Sequence, residues 1–276
     1  MKIQQVADQI RFPRMTTEEL REAFLVQEIF KAGEIQTVYV DLDRAIVGSA
    51  VPTNHPLILE TDDMLRASYF TERRELGILN IGAPGIVRIN DHAYEMATLD
   101  GLYIGRGNKH ISFLSGNPAN PAEFYLLSYP AHASYPTTYI PSASLQRACI
   151  GSPETANQRE IHRMIHTEGP ASCQLVMGFT RMASGSVWNT MPPHTHMRRS
   201  EIYLYFGLPT DERVIHLMGP SHETRHMVVA NKQAVISPGW SIHAGVGTRN
   251  YTFCWSMGGE NKAYADMDPI AIAELL

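Results

Sequence analysis

Short apolar strings recur along most of this 276-residue chain, separated by glycine, proline, asparagine and aspartate. Within the strings the residues alternate with a period of two. Successive side chains of a strand point to opposite faces, so the alternation predicts half-buried β-strands. From Gly33 onward, Ile35, Thr37, Tyr39 and Asp41 alternate with Gln36, Val38 and Val40. Further strings occupy 76–81, 86–89, 102–104, 124–127 and 174–179. Many short strands with regular turn signals predict an all-β sandwich or barrel. Helical signals are few. Thr16 and Glu19 form a capping-box pattern that predicts one short helix. Asp268 as N-cap, followed by Pro269 at the first helical position, predicts a second at the C-terminus. Residues 130–156 are rich in Pro, Ser, Ala and Thr, with weak periodicity. The expected organisation is therefore a first β-domain over 1–135, a connector over 136–160 and a second β-domain over 161–276.

The densest chemistry lies in His194-Thr195-His196-Met197-Arg198-Arg199-Ser200-Glu201. Residues i and i+2 of a strand share a face, so His194 and His196 can converge while Thr195 points away. A turn through Met197-Arg198-Arg199 would bring Glu201 in from the next strand. Imidazole and carboxylate together suit zinc, iron, nickel or manganese. The plain alternative is two polar residues beside a loop. Downstream, Ser237-Pro238-Gly239-Trp240-Ser241-Ile242-His243 reads as strand, tight turn and strand. Pro238 presets φ and Gly239 can take φ > 0, so the turn would lift His243 to the start of the next strand. Three histidines and a glutamate make a divalent-cation site with room left for water or substrate.

The first half carries a degenerate copy. When 68–75 is laid on 194–201, Glu75 matches Glu201, but Ser68 and Phe70 stand where histidines are expected. His110, after the Arg106-Gly107 turn, falls one position early, and a one-residue shift turns a strand's side chains to the opposite face. The reading is two β-barrels with a metal site in the second alone. Two unrelated β-hairpins remain the alternative.

Taken together, the two metal motifs resemble those of the cupin superfamily. The segments ERRELGILNIG, WNTMPPHTHMRRSEIYLYF, ETRHMVV and QAVISPGWSIHAGVGTRNYTF are similar to the 5-dehydro-4-deoxy-D-glucuronate isomerases (5-keto-4-deoxyuronate isomerases) of pectin breakdown. The similarity runs from about Leu20 to the C-terminus. It implies a bicupin of two jelly-roll-like barrels with a few short helices, one Zn2+ per chain and a homohexamer. It places the metal ligands on His194, His196, Glu201 and His243. It also implies a reaction: isomerisation of 5-dehydro-4-deoxy-D-glucuronate (4-deoxy-L-threo-5-hexosulose uronate) to 3-deoxy-D-glycero-2,5-hexodiulosonate. This aldose–ketose step moves a proton and passes through an enediolate, whose charge a divalent ion stabilises as a Lewis acid. The sequence leaves the catalytic base unassigned. Three other readings stay open: the deoxyglucuronate isomerase of inositol breakdown, an iron-dependent cupin oxygenase, and a non-catalytic sugar-acid-binding cupin.

Candidate substrate residues follow from proximity to these motifs. Arg225 in Glu223-Thr224-Arg225-His226, or Arg199 beside the ligands, can hold a carboxylate by a bidentate pair. A surface ion pair explains Arg225 equally well. Tyr203 and Tyr205 share the facing of Glu201 and can line the cavity, and Trp240 can wall it or serve as packing. His162 and His166 have the i, i+4 spacing of helical ligands but no helical flanks, so they read as ordinary polar histidines. The glycines around Arg106 lack the helix a phosphate loop needs and read as turns.

Composition narrows the classes. Hydrophobic residues make up 44% and charged residues 18%, enough for sizeable cores and without the signature of disorder. A net charge of −5 with no long basic cluster argues against nucleic-acid binding. The N-terminus lacks a signal-peptide core, and no apolar run approaches the ~20 residues of a spanning helix. Cys149, Cys173 and Cys254 are scattered and odd in number, which fits a reducing compartment and small core residues. The expectation is a cytoplasmic enzyme with a small uronate as its partner.

Overall fold

A computed structural model describes residues 1–276. The chain forms two units, and neither is contiguous in sequence. The first comprises Met1–Ile3, Glu28–Leu145 and Met164–Val176; the second comprises Gln4–Gln27, Gln146–Arg163 and Met177–Leu276. The boundaries read from composition, at 135 and 160, therefore fall elsewhere. The Pro- and Ser-rich stretch is not a bare connector either, since it contains the strands Thr138–Ile140 and Arg147–Ile150.

Each unit is built on a seven-stranded and a four-stranded antiparallel sheet, the layered β architecture that the alternating pattern predicts. In the first unit, strands Ile35–Val40, Ile46–Ala50, Phe124–Pro130, Arg74–Asn80, Gly101–Ile104 and Thr138–Ile140 follow one another across the larger sheet. The smaller sheet runs Leu57–Ile58, Ile111–Ser115, Gly85–Ile89, His92–Met96. Ile46, Leu76, Ile78, Phe124 and Leu126 from the larger sheet form one core with Val87, Ile89 and Phe113 from the smaller.

In the second unit the larger sheet orders Arg147–Ile150, Arg159–Ile165, Val176–Met182, Thr252–Gly259, Arg199–Phe206, Gln233–Ser237 and Leu25–Val26. The smaller orders Trp188–Asn189, Ile242–Gly247, Val214–Gly219 and Arg225–Val229. The sheets meet through buried polar as well as apolar groups: the Tyr205 hydroxyl lies 2.7 Å from His216 Nδ1, and Asn189 Nδ2 donates to the Tyr251 hydroxyl at 2.7 Å.

The helix predicted from Thr16 forms at Thr17–Phe24 with both arms of the capping box: Glu19 N–H donates to Thr16 Oγ1 at 3.2 Å, and Thr16 N–H to Glu19 Oε2 at 2.8 Å. The predicted terminal helix does not. Asp268–Pro269 pairs as a strand with His194–Thr195, and only Ile272–Glu274 makes a 3-10 turn. The Leu276 N–H, which a helix would direct to Ile272 O, is spent on Ser221 O, and Ile270 N–H on Pro193 O holds the start of the segment beside the His194 strand. His162 sits on a strand, so its spacing to His166 is not helical. Of the cysteines, Cys254 is buried as expected, Cys173 is half-buried and Cys149 is exposed.

Candidate metal centre

Three strand segments and one turn bring the donors together. His194–Thr195 ends in a turn closed by Arg199 N–H to His196 O at 3.1 Å, which delivers Glu201 on Arg199–Phe206. A second turn, closed by Ser241 N–H to Pro238 O at 2.9 Å, carries the chain from the larger sheet to the smaller and sets His243 near the start of Ile242–Gly247. Gly239 serves this turn by its lack of a side chain. Its φ is not positive, contrary to expectation. A Cβ there would lie 3.0 Å from His196 O, so the two metal-motif turns pack backbone to backbone.

The donor atoms of His194, His196, Glu201 and His243 all lie within 4.8 Å of one another. His196 Nε2 is 2.9 Å and His243 Nε2 3.0 Å from the same oxygen, Glu201 Oε2, and His243 Nε2 is 3.0 Å from His194 Nε2. Donors sharing one ion with bonds of ~2.0–2.1 Å stand roughly 3.0–3.4 Å apart, so this donor set fits a transition-metal cation. The carbonyl of Arg199 can only accept, so His196 Nδ1, 3.1 Å away, carries a proton and Nε2 is turned towards Glu201; burial opposes a charge on this ring, but the Glu201 carboxylate outweighs it and raises the His196 pKa. Burial and the neighbouring His243 lower the His194 pKa to about 3, which keeps that ring neutral. Burial opposes the charge of Glu201, but His243 and His196 outweigh it and hold the carboxyl below its usual range.

The donors open into a cavity of about 380 Å³, within the ~300–1,000 Å³ typical of small-molecule sites. Its lining shows the strand period of two: Ala148 and Ile150; Arg159 and Ile161; Arg199, Glu201 and Tyr203; Phe253, Trp255 and Met257. Thr180 completes this floor, and Tyr264 and Met267 close the cavity from the C-terminal segment.

The candidate substrate residues separate here. Tyr203 lines the cavity, its hydroxyl 3.1 Å from Thr190 Oγ1, and burial raises its pKa well above the usual value, so it is a neutral phenol. Arg199 also lines it, but Nη1 donates to Ala263 O at 2.6 Å and Nη2 to Asp266 O at 2.8 Å. Arg225 is not among the lining residues. It donates to Pro13 O at 3.2 Å and Met15 O at 2.9 Å, and neither a surface ion pair nor a cavity position describes it. Trp240 packs edge-on against Phe12 and Phe24, with centroids 5.3 and 6.3 Å away, as a core aromatic. Tyr205 is spent on His216. The sequence reading passed over Arg159, although its alternation with Ile161 was a usable signal.

In the degenerate copy, Glu75 is fully buried and accepts hydrogen bonds from Cys173 N–H (2.6 Å), Gln174 N–H (2.8 Å), Leu175 N–H (2.8 Å) and the Tyr103 hydroxyl (2.8 Å). Phe70 joins the apolar core, while Ser68 and His110 are exposed. The carboxylate matching Glu201 is thus saturated by donors of its own chain.

Residues 24–272 match the KduI/IolB family. Among curated proteins, the chain is 50% identical over 96% of its length to the 4-deoxy-L-threo-5-hexosulose-uronate ketol-isomerase of Caldicellulosiruptor bescii, covering 96% of that protein. It is 52% identical to the protein of the same name from Lachnoclostridium phytofermentans, covering 94% of each. Among solved structures, an IolB-like protein of Salmonella typhimurium LT2 superposes with a TM-score of 0.74 at 14% identity, covering 90% of this chain and 96% of that one. The formate complex of Lactobacillus farciminis oxalate decarboxylase superposes with a TM-score of 0.60 at 8% identity, covering 90% and 88%. These likenesses show a shared fold.

Proposed function

Because the chain belongs to the KduI/IolB family, we propose that it is a ketol-isomerase of 4-deoxy-L-threo-5-hexosulose uronate, yielding 3-deoxy-D-glycero-2,5-hexodiulosonate in the breakdown of pectin-derived uronates. The observation that carries this reading is the convergence of four buried or half-buried donors on one point of a cavity, in a chain half identical to proteins of that name.

His194, His196, Glu201 and His243 would hold one zinc ion, and such an ion supplies Lewis-acid stabilisation of the oxyanion charge that develops as the carbonyl moves from C1 to C2. The chain's own residues arrange the rest. The neutral Tyr203 phenol and the Thr190 hydroxyl present hydrogen-bonding groups to the sugar hydroxyls. Arg199, through its bonds to Ala263 and Asp266, ties down the segment that carries Tyr264 and Met267 and thereby shields the cavity from water. Trp255, Phe253 and Met257 supply an apolar floor that orients the carbon chain.

The test is turnover. Zinc-loaded protein incubated with the hexosulose uronate should give the 2,5-diulosonate by NMR, without oxygen uptake. No product over hours would remove the isomerase reading, and oxygen consumption with iron would replace it by an oxygenase. Turnover confined to the deoxyglucuronate of inositol breakdown would move the protein to the other branch of its family. Metal analysis of the purified protein checks zinc, and light scattering checks the hexamer that the resemblance implies. No helix is long and apolar enough to cross a membrane. The three free cysteines fit a reducing compartment, and on that ground we propose the cytoplasm.

A further inference from the structure

Two arginines line the cavity: Arg199 keeps only its buried Nε unpartnered, whereas Arg159 keeps Nε together with a terminal nitrogen. Arg199 spends both terminal nitrogens on the carbonyls of Ala263 and Asp266. Arg159 spends one: Nη1 donates to Asn157 O at 2.7 Å. Its Nε and Nη2 make no hydrogen bond within the chain, and Arg159 pairs with no carboxylate. Burial lowers its pKa, and the neighbouring side chains that offset this are Tyr203, Tyr264 and Tyr251, none of them a carboxylate. Glu201 is the single acidic residue of the lining and belongs to the donor cluster.

Arg159 is fixed in place. It stands opposite Ile150 on the neighbouring antiparallel strand and shares the cavity face with Ile161. A half-buried guanidinium without an internal counter-ion is costly unless an anion meets it, and its planar fork matches a carboxylate through two parallel hydrogen bonds.

Resting on the reading above, in which the substrate has its aldehyde at C1 and a carboxylate at C6, we propose that Arg159 binds that carboxylate through Nε and Nη2. The pair sets the selectivity of this cavity for uronates over neutral sugars. Sequence proximity to the ligands favours Arg199 and Arg225, but their guanidinium groups already serve backbone carbonyls.

The test uses the metal-loaded full chain, Arg159→Gln and Arg159→Lys, with the uronate and its C6 primary amide as substrates. Loss of a buried bidentate charge pair should lower kcat/KM of Arg159→Gln for the uronate about 100-fold, mainly through KM. Arg159→Lys, which keeps the charge but not the fork, should lie between. The amide should be turned over alike by all three proteins, so the preference for uronate over amide collapses in Arg159→Gln. Metal content and melting temperature identify any variant that fails to fold, and in that case Arg159→Lys decides. A second readout is free of turnover: calorimetric titration with the borohydride-reduced substrate, a 3-deoxyhexonate that cannot isomerise, should show Kd weakened at least 10-fold in Arg159→Gln. Equal Kd in wild type and variant, or no binding to either, overturns the proposal, as does uronate kcat/KM within threefold of wild type. If the wild type binds the hexonate through Arg159 but does not isomerise the uronate, the assigned reaction fails and the carboxylate anchor stands.

Discussion

His243 reaches the donor cluster from a different strand and a different sheet than His194, His196 and Glu201. It is therefore the residue whose removal most directly tests the four-donor set. His243→Ala deletes a nitrogen that lies 3.0 Å from both His194 Nε2 and Glu201 Oε2. Three donors remain, and Glu201 loses one of the two groups that hold its carboxyl low. Metal analysis should find well under one equivalent per chain, and isomerase activity should fall at least 100-fold, the scale set by losing metal-based charge stabilisation. A full equivalent of metal in this variant would refute the assignment. Arg159 and Arg225 are a lesson at the same scale. Their residue type was legible, but whether a guanidinium is free depends on which carbonyls the fold brings within reach. For Arg225 those belong to Pro13 and Met15, more than two hundred residues away.

At the scale of elements, the segment after Gly259 acts as a strap across the cavity. Arg198 Nε donates to Asp266 Oδ1 at 2.7 Å and Nη2 to Asp268 Oδ2 at 2.8 Å, while Asp268–Pro269 pairs with the strand bearing His194. Tyr264 and Met267 of this strap line the site. Arg198→Met should loosen it, giving faster proteolysis within 260–269 and a raised KM with metal retained. The same strap should respond to acid. Arg198 and Asn261 hold the Asp266 carboxyl at about 2, against an ordinary value of 3.8. A folded pKa below the unfolded one stabilises the strap above about pH 4, and this contribution is lost as pH falls towards 2. Protection factors for hydrogen exchange across 260–269, which remove the intrinsic pH dependence of exchange, should therefore fall over that window in wild type. In Asp266→Asn protection should already be reduced at neutral pH and change little.

For the whole molecule, the two units answer one problem in two ways. Glu201 sits among imidazoles, whereas Glu75 at the corresponding place is held by three backbone N–H groups and a phenol. Charged hydrogen bonds of this kind are individually strong, and unpaired donors are costly in a buried site. Glu75→Ala should lower unfolding free energy in urea by about 3–5 kcal/mol. Metal per chain should stay unchanged in the folded protein. A loss of metal equal to that of His243→Ala would show that Glu75 is not merely structural. By itself the sequence marked many of the strands, the capped helix and the candidate donors His194, His196 and Glu201, because alternation, capping and i, i+2 spacing are local geometry that a few neighbouring residues impose; His243 was marked only by its Pro-Gly turn. Only the tertiary structure decided that the C-terminal segment pairs as a strand, that residues 164–176 belong with the first unit, and that Arg159 rather than Arg225 faces the cavity. Each of those depends on which distant backbone groups satisfy a donor, and no local pattern in the chain records that choice.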